Sequence, residues 1–177
     1  MKRLLFRGVF VDIILWPAVI AACLLALGVD AVSVRGPSME PVLRDGETAF
    51  VNRFAYGLRL PVGSGYTVFW DMPSPGDIVV FRHPTDGRMT VKRNALAAGT
   101  PVRFENGRLY AAGHSWRVSP EVRRQLAAGE RIPEDHVFLV GTNPAASTDS
   151  RDFGVLPVSD IYGRVVTLSG IRGMIAE

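Results

Sequence analysis

A single cysteine, Cys23, in 177 residues excludes an internal disulfide and leaves the redox compartment unread. Histidine is nearly as scarce. His83, His114 and His136 are scattered, each beside a turn signal and none with an obvious third partner, so a Ser-His-Asp triad has no support and no metal cluster is indicated. No run of Lys and Arg interleaved with aromatics occurs, which argues against nucleic acid as a partner, and the formal charge of +3 suits a protein lying near anionic lipid. Internal repeats and low-complexity tracts are missing as well. The most informative shortage is lysine: only Lys2 and Lys92 occur among 20 basic residues. Arginine stays protonated in proteins while lysine loses its proton when buried, so a lone lysine in the folded part is a candidate base.

Charge is also missing from Ile13 to Val29, IILWPAVIAACLLALGV. As a helix this stretch would be about 26 Å long against a hydrocarbon core of about 30 Å, and Val11 before it with Ala31 and Val32 after it make it long enough to span. Lys2, Arg3 and Arg7 precede it, so the positive-inside rule predicts a cytoplasmic N-terminus and everything from Asp30 onward outside. Cleavage of the segment as a signal peptide near Ala31 is the competing reading. Its length and the closeness of the next motif favour retention as an anchor. The expected division is a cytoplasmic N-terminus and single transmembrane helix over 1–34, then one extracytoplasmic domain over 35–177.

Beyond Val34, short β-branched and aromatic runs alternate with Gly, Pro and Asp turns, which predicts an all-β domain. Strands are expected near Thr48–Arg53, Asp77–Arg82, Met89–Arg93, Val102–Glu105, Arg108–Tyr110, Val137–Val140 and Ile161–Leu168, with Asn106-Gly107 as a tight hairpin turn. Pro120–Ala128 reads as a helix, with Ser119 as a possible cap. Tyr56–Pro75 reads as a long loop or ribbon with Val68, Phe69, Trp70 and Met72 exposed, against the bilayer or packed on the sheet.

Chemistry concentrates in three places. Ser38 lies in GPSMEPVL, where glycine and two prolines form a turn able to hold a serine hydroxyl beside free backbone N–H groups. Lys92 lies in MTVKR, where strand alternation puts Thr90, Lys92 and Asn94 on one face. At a reference pKa of about 10.4 only about one lysine in a thousand is neutral near pH 7.5, so burial must bring the value down before Lys92 could take a proton from Ser38. The third place is GTNPAASTDSRDFGV, Gly141 to Val155. It reads either as a polar surface loop or as a wall whose hydroxyls orient an amine while an Asp-Arg pair braces it.

These segments together resemble bacterial type I signal peptidase, a membrane-anchored Ser-Lys protease that removes signal peptides from exported proteins. PSMEPVLRDGE around Ser38, FVNRFAYGLRLP from Phe50, PGDIVVFRHP from Pro75, Val91-Lys92-Arg93 and STDSRDFGV from Ser147 carry the resemblance through about Leu168. It implies a mostly antiparallel β fold of coiled sheets with one N-terminal transmembrane helix and no cofactor. It further implies Ser38 as nucleophile, Lys92 as general base, Ser147 as the hydroxyl that positions the lysine, and Asp149 with Arg151 as a supporting pair. The Ser38 N–H would bind the oxyanion, with Gly36 where some relatives carry a serine. Val32, Val34, Leu43, Val80 and Val91 match positions lining pockets for small side chains. The implied partners are signal peptides of preproteins, the lipid bilayer and, as a candidate neighbour, the secretion translocon. The implied location is the bacterial cytoplasmic membrane with the catalytic domain on its outer, periplasmic face.

The chain departs from the family pattern in places. Gly141-Thr142-Asn143-Pro144 stands where G-D-N-R is usual, and NALAAGTPV, Asn94 to Val102, replaces a Gly-x-Pro-Gly-Asp continuation. The alternatives are therefore a conjugation-pilin maturation peptidase or an inactive relative that binds exported chains. Self-cleaving SOS-type repressors share the S-M-x-P-x-x-x-D-G pattern of Ser38 to Gly46, but here a membrane segment stands where their DNA-binding domain would be.

Overall fold

The computed structural model describes residues 15–17, 19, 28–59, 65–126 and 130–166. Twelve strands are found among them: β1 (Val29–Ser33), β2 (Thr48–Asn52), β3 (Gly57–Leu58), β4 (Val68–Phe69), β5 (Ile78–Arg82), β6 (Met89–Leu96), β7 (Arg103–Glu105), β8 (Arg108–Ala111), β9 (His114–Arg117), β10 (His136–Val140), β11 (Leu156–Pro157) and β12 (Ile161–Val166). Two short α-helices, α1 (Pro120–Leu126) and α2 (Ser150–Phe153), complete the regular elements besides 3-10 turns. The molecule is thus mostly β. Seven strands form one antiparallel sheet in the order β1-β2-β12-β5-β6-β10-β11, and β7-β8-β9 form a separate meander.

Alternation explains the layers. In β5, Val79 and Phe81 point into one core with Tyr56, Leu139 and Ile161, while Val80 points oppositely into a second core with Val34, Met39, Leu43 and Val51. A strand buried on both faces reads as a continuous apolar run, as IVVF does here. A third core, around Leu96, Leu109, Val122 and Phe138, packs the meander and α1 against the far end of β6 and β10. Fully burying a side chain such as Phe81 contributes about 1.5–3 kcal/mol. Register shifts at Phe138/Leu139 and Ile161/Gly163 add local twist, and the sheet curls.

Most expected strands are found, with small differences at their ends. The Asn106-Gly107 hairpin joins β7 to β8, with both residues at positive φ (49° and 73°), as a type I′ turn requires. Residues 127, 128, 167 and 168 of the expected helix and last strand lie outside the described residues. His114–Arg117 is an additional strand, pairing with β8 from Arg117 to His114. The ribbon expected over Tyr56–Pro75 is β3 paired with β4. Its Val68, Phe69 and Trp70 are exposed, whereas Met72 packs against the Tyr56 core.

The last residues of the segment 1–34, expected to hold the anchor, form a strand. Val29 to Ser33 pair in register with Asn52 to Thr48, because the β-branched and small residues VDAVS alternate between faces as a sheet-edge strand does. No helix among the described residues is long and apolar enough to cross a membrane. Apart from a few positions, the expected transmembrane helix over Ile13 to Val29 lies outside the described residues.

Candidate active site

Ser38 sits in the middle of a 3-10 turn, Pro37–Met39. Met39 is buried in the core beneath it, and the Leu43 N–H donates to the Met39 carbonyl at 3.0 Å. The turn is therefore anchored by its apolar neighbour, leaving the serine partly exposed. Opening N–H groups of such a turn have no acceptor within it, which leaves the Ser38 amide as a donor. Gly36, expected beside the oxyanion, has its N–H engaged within its own loop. It has no side chain, and its N–H donates to Asp45 Oδ1 at 2.8 Å.

Lys92 is the fourth residue of β6 and pairs with Val79 of the central strand. Its side chain lies on the buried face with Asn94, and the residue is only 3% exposed. Lys92 Nζ donates to Ser38 Oγ at 2.9 Å. Burial lowers the pKa of the amine; the Asp149 carboxylate pulls it back up and the Arg151 guanidinium pushes it down, and the net direction is downward. The serine is thus reachable while the lysine is shielded.

Asp149 organises the third segment. It is the N-cap of α2, with a reciprocal bond in which Asp152 accepts the Asp149 N–H. This capping box was not evident in the sequence because α2 is a single turn without apolar periodicity. Asp149 is fully buried. It accepts from Arg151 Nε and Nη2, each at 2.7 Å, from the Gly141 N–H at 2.8 Å and from Ser147 Oγ at 2.7 Å. Burial works against its charge, but these hydrogen bonds outweigh it and hold the carboxyl below its ordinary value. The Ser147 hydroxyl is directed to Asp149, and the hydrogen-bond partner of Lys92 among the described residues is Ser38.

Two residues in this segment went unread as site residues. The Asn143 N–H donates to the Ser38 carbonyl at 3.0 Å, joining the segment to the serine turn. Gly141 stands where a Cβ would be 2.6 Å from that same carbonyl. Both match the glycine and asparagine of the usual G-D-N-R, and the Thr142 hydroxyl between them is buried without a hydrogen-bond partner among the described residues.

A cleft of about 900 Å³ opens beside Ser38, lined on one side by Val32 to Arg35 and on the other by Met89 to Val91 with Asp86 and Arg88. Val32, Val34 and Val91 therefore reach it. Leu43 and Val80, expected there too, lie in the core behind, each 1% exposed. Asn94 directs its N–H to Asp77 and its C=O to the Gly76 N–H, both toward β5. Alternation then turns the backbone groups of Val91 and Met89 the other way, along an edge that β10 pairs only from Arg93 onward.

The histidines lie elsewhere: His83 packs edge-on to Phe153, His114 stacks on Trp116 and His136 bonds Asp135. Among the described residues no group of three or more His, Cys, Asp or Glu side chains is placed to hold a metal ion. The arrangement suits proton transfer from a hydroxyl to a shielded amine.

Comparison with known proteins gives consistent results. Signal peptidase I of Pseudomonas fluorescens is 28% identical over 178 residues, covering 77% of this chain and 63% of that protein, so the chain spans less than two thirds of that relative. Signal peptidase I of Bacillus caldolyticus is 28% identical over 170 residues, covering 85% of this chain and 86% of the relative. Human mitochondrial inner membrane protease subunit 1 is 26% identical, covering 82% and 72%. A crystal structure of a signal peptidase I from Enterococcus faecalis matches 55% of this chain and 98% of that one at 24% identity, with a TM-score of 0.39. The family model for signal peptidase, peptidase S26, matches residues 7–169, and the chain therefore belongs to that family.

Proposed function

We propose that this protein is a type I signal peptidase that uses Ser38 as nucleophile and Lys92 as general base. The observation that carries the reading is the 2.9 Å hydrogen bond from Lys92 Nζ to Ser38 Oγ, made by an amine whose burial favours its neutral form. In the neutral state the amine accepts the Ser38 proton as Oγ attacks the peptide carbonyl. The ammonium then returns that proton to the departing amine, leaving an acyl-enzyme. Water attacks the ester, gives its proton to Lys92, and Ser38 is regenerated as the acid product leaves. The developing oxyanion takes its hydrogen bond from the Ser38 N–H. Asp149 and Arg151 brace the segment, and Ser147 acts through Asp149 in holding it against Ser38.

The substrate is an extended chain ending its signal segment in small residues. Free backbone groups at Met89 and Val91 offer strand-like pairing, while Val32, Val34 and Val91 leave room for small side chains. The apolar run Ile13 to Val29 serves as a single anchor with the N-terminus cytoplasmic, so the division at residue 34 moves back to the start of β1. Val68, Phe69 and Trp70 are exposed on a ribbon that leaves the Asn52 end of β2, the end at which β1 begins. That shared end faces the outer leaflet of the bilayer, and tethering raises the effective concentration of preproteins.

The test is cleavage of a preprotein in membranes containing the full chain, compared with Ser38→Ala and Lys92→Arg. Each variant is expected to lose signal-peptide removal. A parent chain that removes none, or Lys92→Arg with full activity, sinks the proposal.

A further inference from the structure

Asp30 is the first charged residue after the uncharged run and the second residue of β1. Three groups converge on the chain there. The Arg53 N–H donates to the Gly28 carbonyl at 2.8 Å, and Arg53 Nε lies 3.7 Å from Asp30 Oδ2. The Tyr162 hydroxyl, on β12, donates to the same carboxylate. The Arg53 guanidinium lies over the Tyr162 ring, 5.1 Å from its centre. Phe54 adds a wall, since its ring would stand 3.0 Å from a Cβ at Gly28.

These contacts are poorly explained as stability devices. Arg53 and Asp30 side chains are 28% and 32% exposed, and such pairs contribute little to folding. They do fix where the apolar run meets the sheet. From there β1 runs five residues, about 17 Å at the strand rise. Its far end is fixed too, by Val34 N–H to Glu47 at 2.8 Å and Gly46 N–H to Val34 at 3.0 Å, and the Ser38 turn follows at once.

We infer that Asp30, Arg53 and Tyr162 form a rigid joint that, with β1 as a spacer of fixed length, sets the depth of the cleft relative to the membrane. The joint selects which bond of a membrane-inserted substrate meets Ser38. This rests on the anchored-peptidase reading. Asp30, Arg53 and Tyr162 are positioning residues: they touch neither substrate nor the reacting atoms. A flexible connection would let Ser38 sample several depths, and small misplacements of reacting groups are costly.

The experiment uses the full chain in phospholipid vesicles and two substrates: a short soluble peptide with a small-residue cleavage site, and a membrane-inserted preprotein. The variants are Asp30→Asn combined with Tyr162→Phe and, separately, a short Gly-Ser insertion ahead of Gly28, which leaves every contact of the joint intact. Both are expected to cut the peptide within about twofold of the parent rate. Preprotein cleavage is expected to fall by about tenfold or more, with neighbouring bonds cut as read by mass spectrometry. The inference is overturned if the insertion leaves rate and cleavage site unchanged, or if peptide and preprotein activity fall together. A parent that cuts neither substrate overturns the anchored-peptidase reading itself, a result distinct from an active parent whose variants are indifferent.

Discussion

A β-carbon at Gly141 would stand 2.2 Å from Ser147 Oγ. Glycine is required here by lack of space: the Ser147 side chain fills the volume from one side and the Ser38 carbonyl approaches from the other. Gly141→Ala must therefore push one of them away. Overpacking of this kind costs about 1–3 kcal/mol, and a displaced Ser38 turn should lower cleavage by about 100-fold. Thermal denaturation and kcat measured on the same preparation check both halves, and an alanine variant with parental values of each would refute this account of the position.

The pH dependence of cleavage follows from the direction of the Lys92 shift. Its pKa lies below the ordinary lysine value because of burial, with Arg151 adding to the effect and Asp149 opposing it. With Lys92 as the proposed general base, activity would require the neutral amine, so kcat/KM should rise with pH through a limb that lies below the ordinary lysine range. Lys92→Arg should remove the limb along with about 1000-fold or more of the rate. A limb at the ordinary lysine pKa would mean that the amine is solvated during catalysis.

The same shift has a thermodynamic counterpart. Where the folded pKa lies below the unfolded one, the unfolded chain binds more protons between the two values. Stability therefore rises with pH across that window and levels off above the unfolded value. Below the folded value the cost of protonating a buried amine is fully present. Lys92→Met keeps the shape without the charge, so it should abolish cleavage yet raise stability near neutral pH by about 1 kcal/mol. Urea titrations at neutral and alkaline pH test this: the parent should gain relative to the Met variant as pH rises.

Asp149 is shifted in the same direction, but there the charged form is the one the fold favours. Its carboxyl is held below the ordinary value against the cost of burial, first by Arg151 and then by Gly141 and Ser147. The stabilisation is present above the unfolded carboxyl pKa and lost as pH falls through the folded one. Asp149→Asn should cost about 2–3 kcal/mol at neutral pH, the lower end reflecting solvent access to Arg151. It should also flatten the acid limb of stability. Equal slopes for parent and variant would show that other carboxylates carry the acid sensitivity.

The sequence revealed the parts of the fold that depend on local chemistry. Asn106-Gly107 signalled a tight turn, and MTVKR a strand with Thr90, Lys92 and Asn94 on one face, although which face is buried emerges only from the packing. Val29 to Ser33 group with the preceding run because Ala31 and Val32 resume its apolar character beyond Asp30, and only pairing with β2 distinguishes an edge strand from a helix end. The hydroxyl-rich segment was recognisable by composition, but the role of each hydroxyl was not. Ser147 turns to Asp149 because a buried carboxylate demands donors, and that demand exists only once α2 has formed. Leu43 and Val80 match pocket positions by resemblance to the family, whereas their depth depends on how far the sheet curls.

The strand order has a consequence for synthesis. Ser38 follows β1, in the half of the sheet that contains β1 and β2, and Lys92 lies on β6 beside β5. The strand that joins these halves is β12, Ile161–Val166, the last described element in the chain. A ribosome-bound chain that has not yet released β12 has no continuous sheet to carry the hydroxyl to the amine. Docking of β12 closes the sheet, and only then do the Ser38 turn and the Lys92 strand belong to one continuous surface.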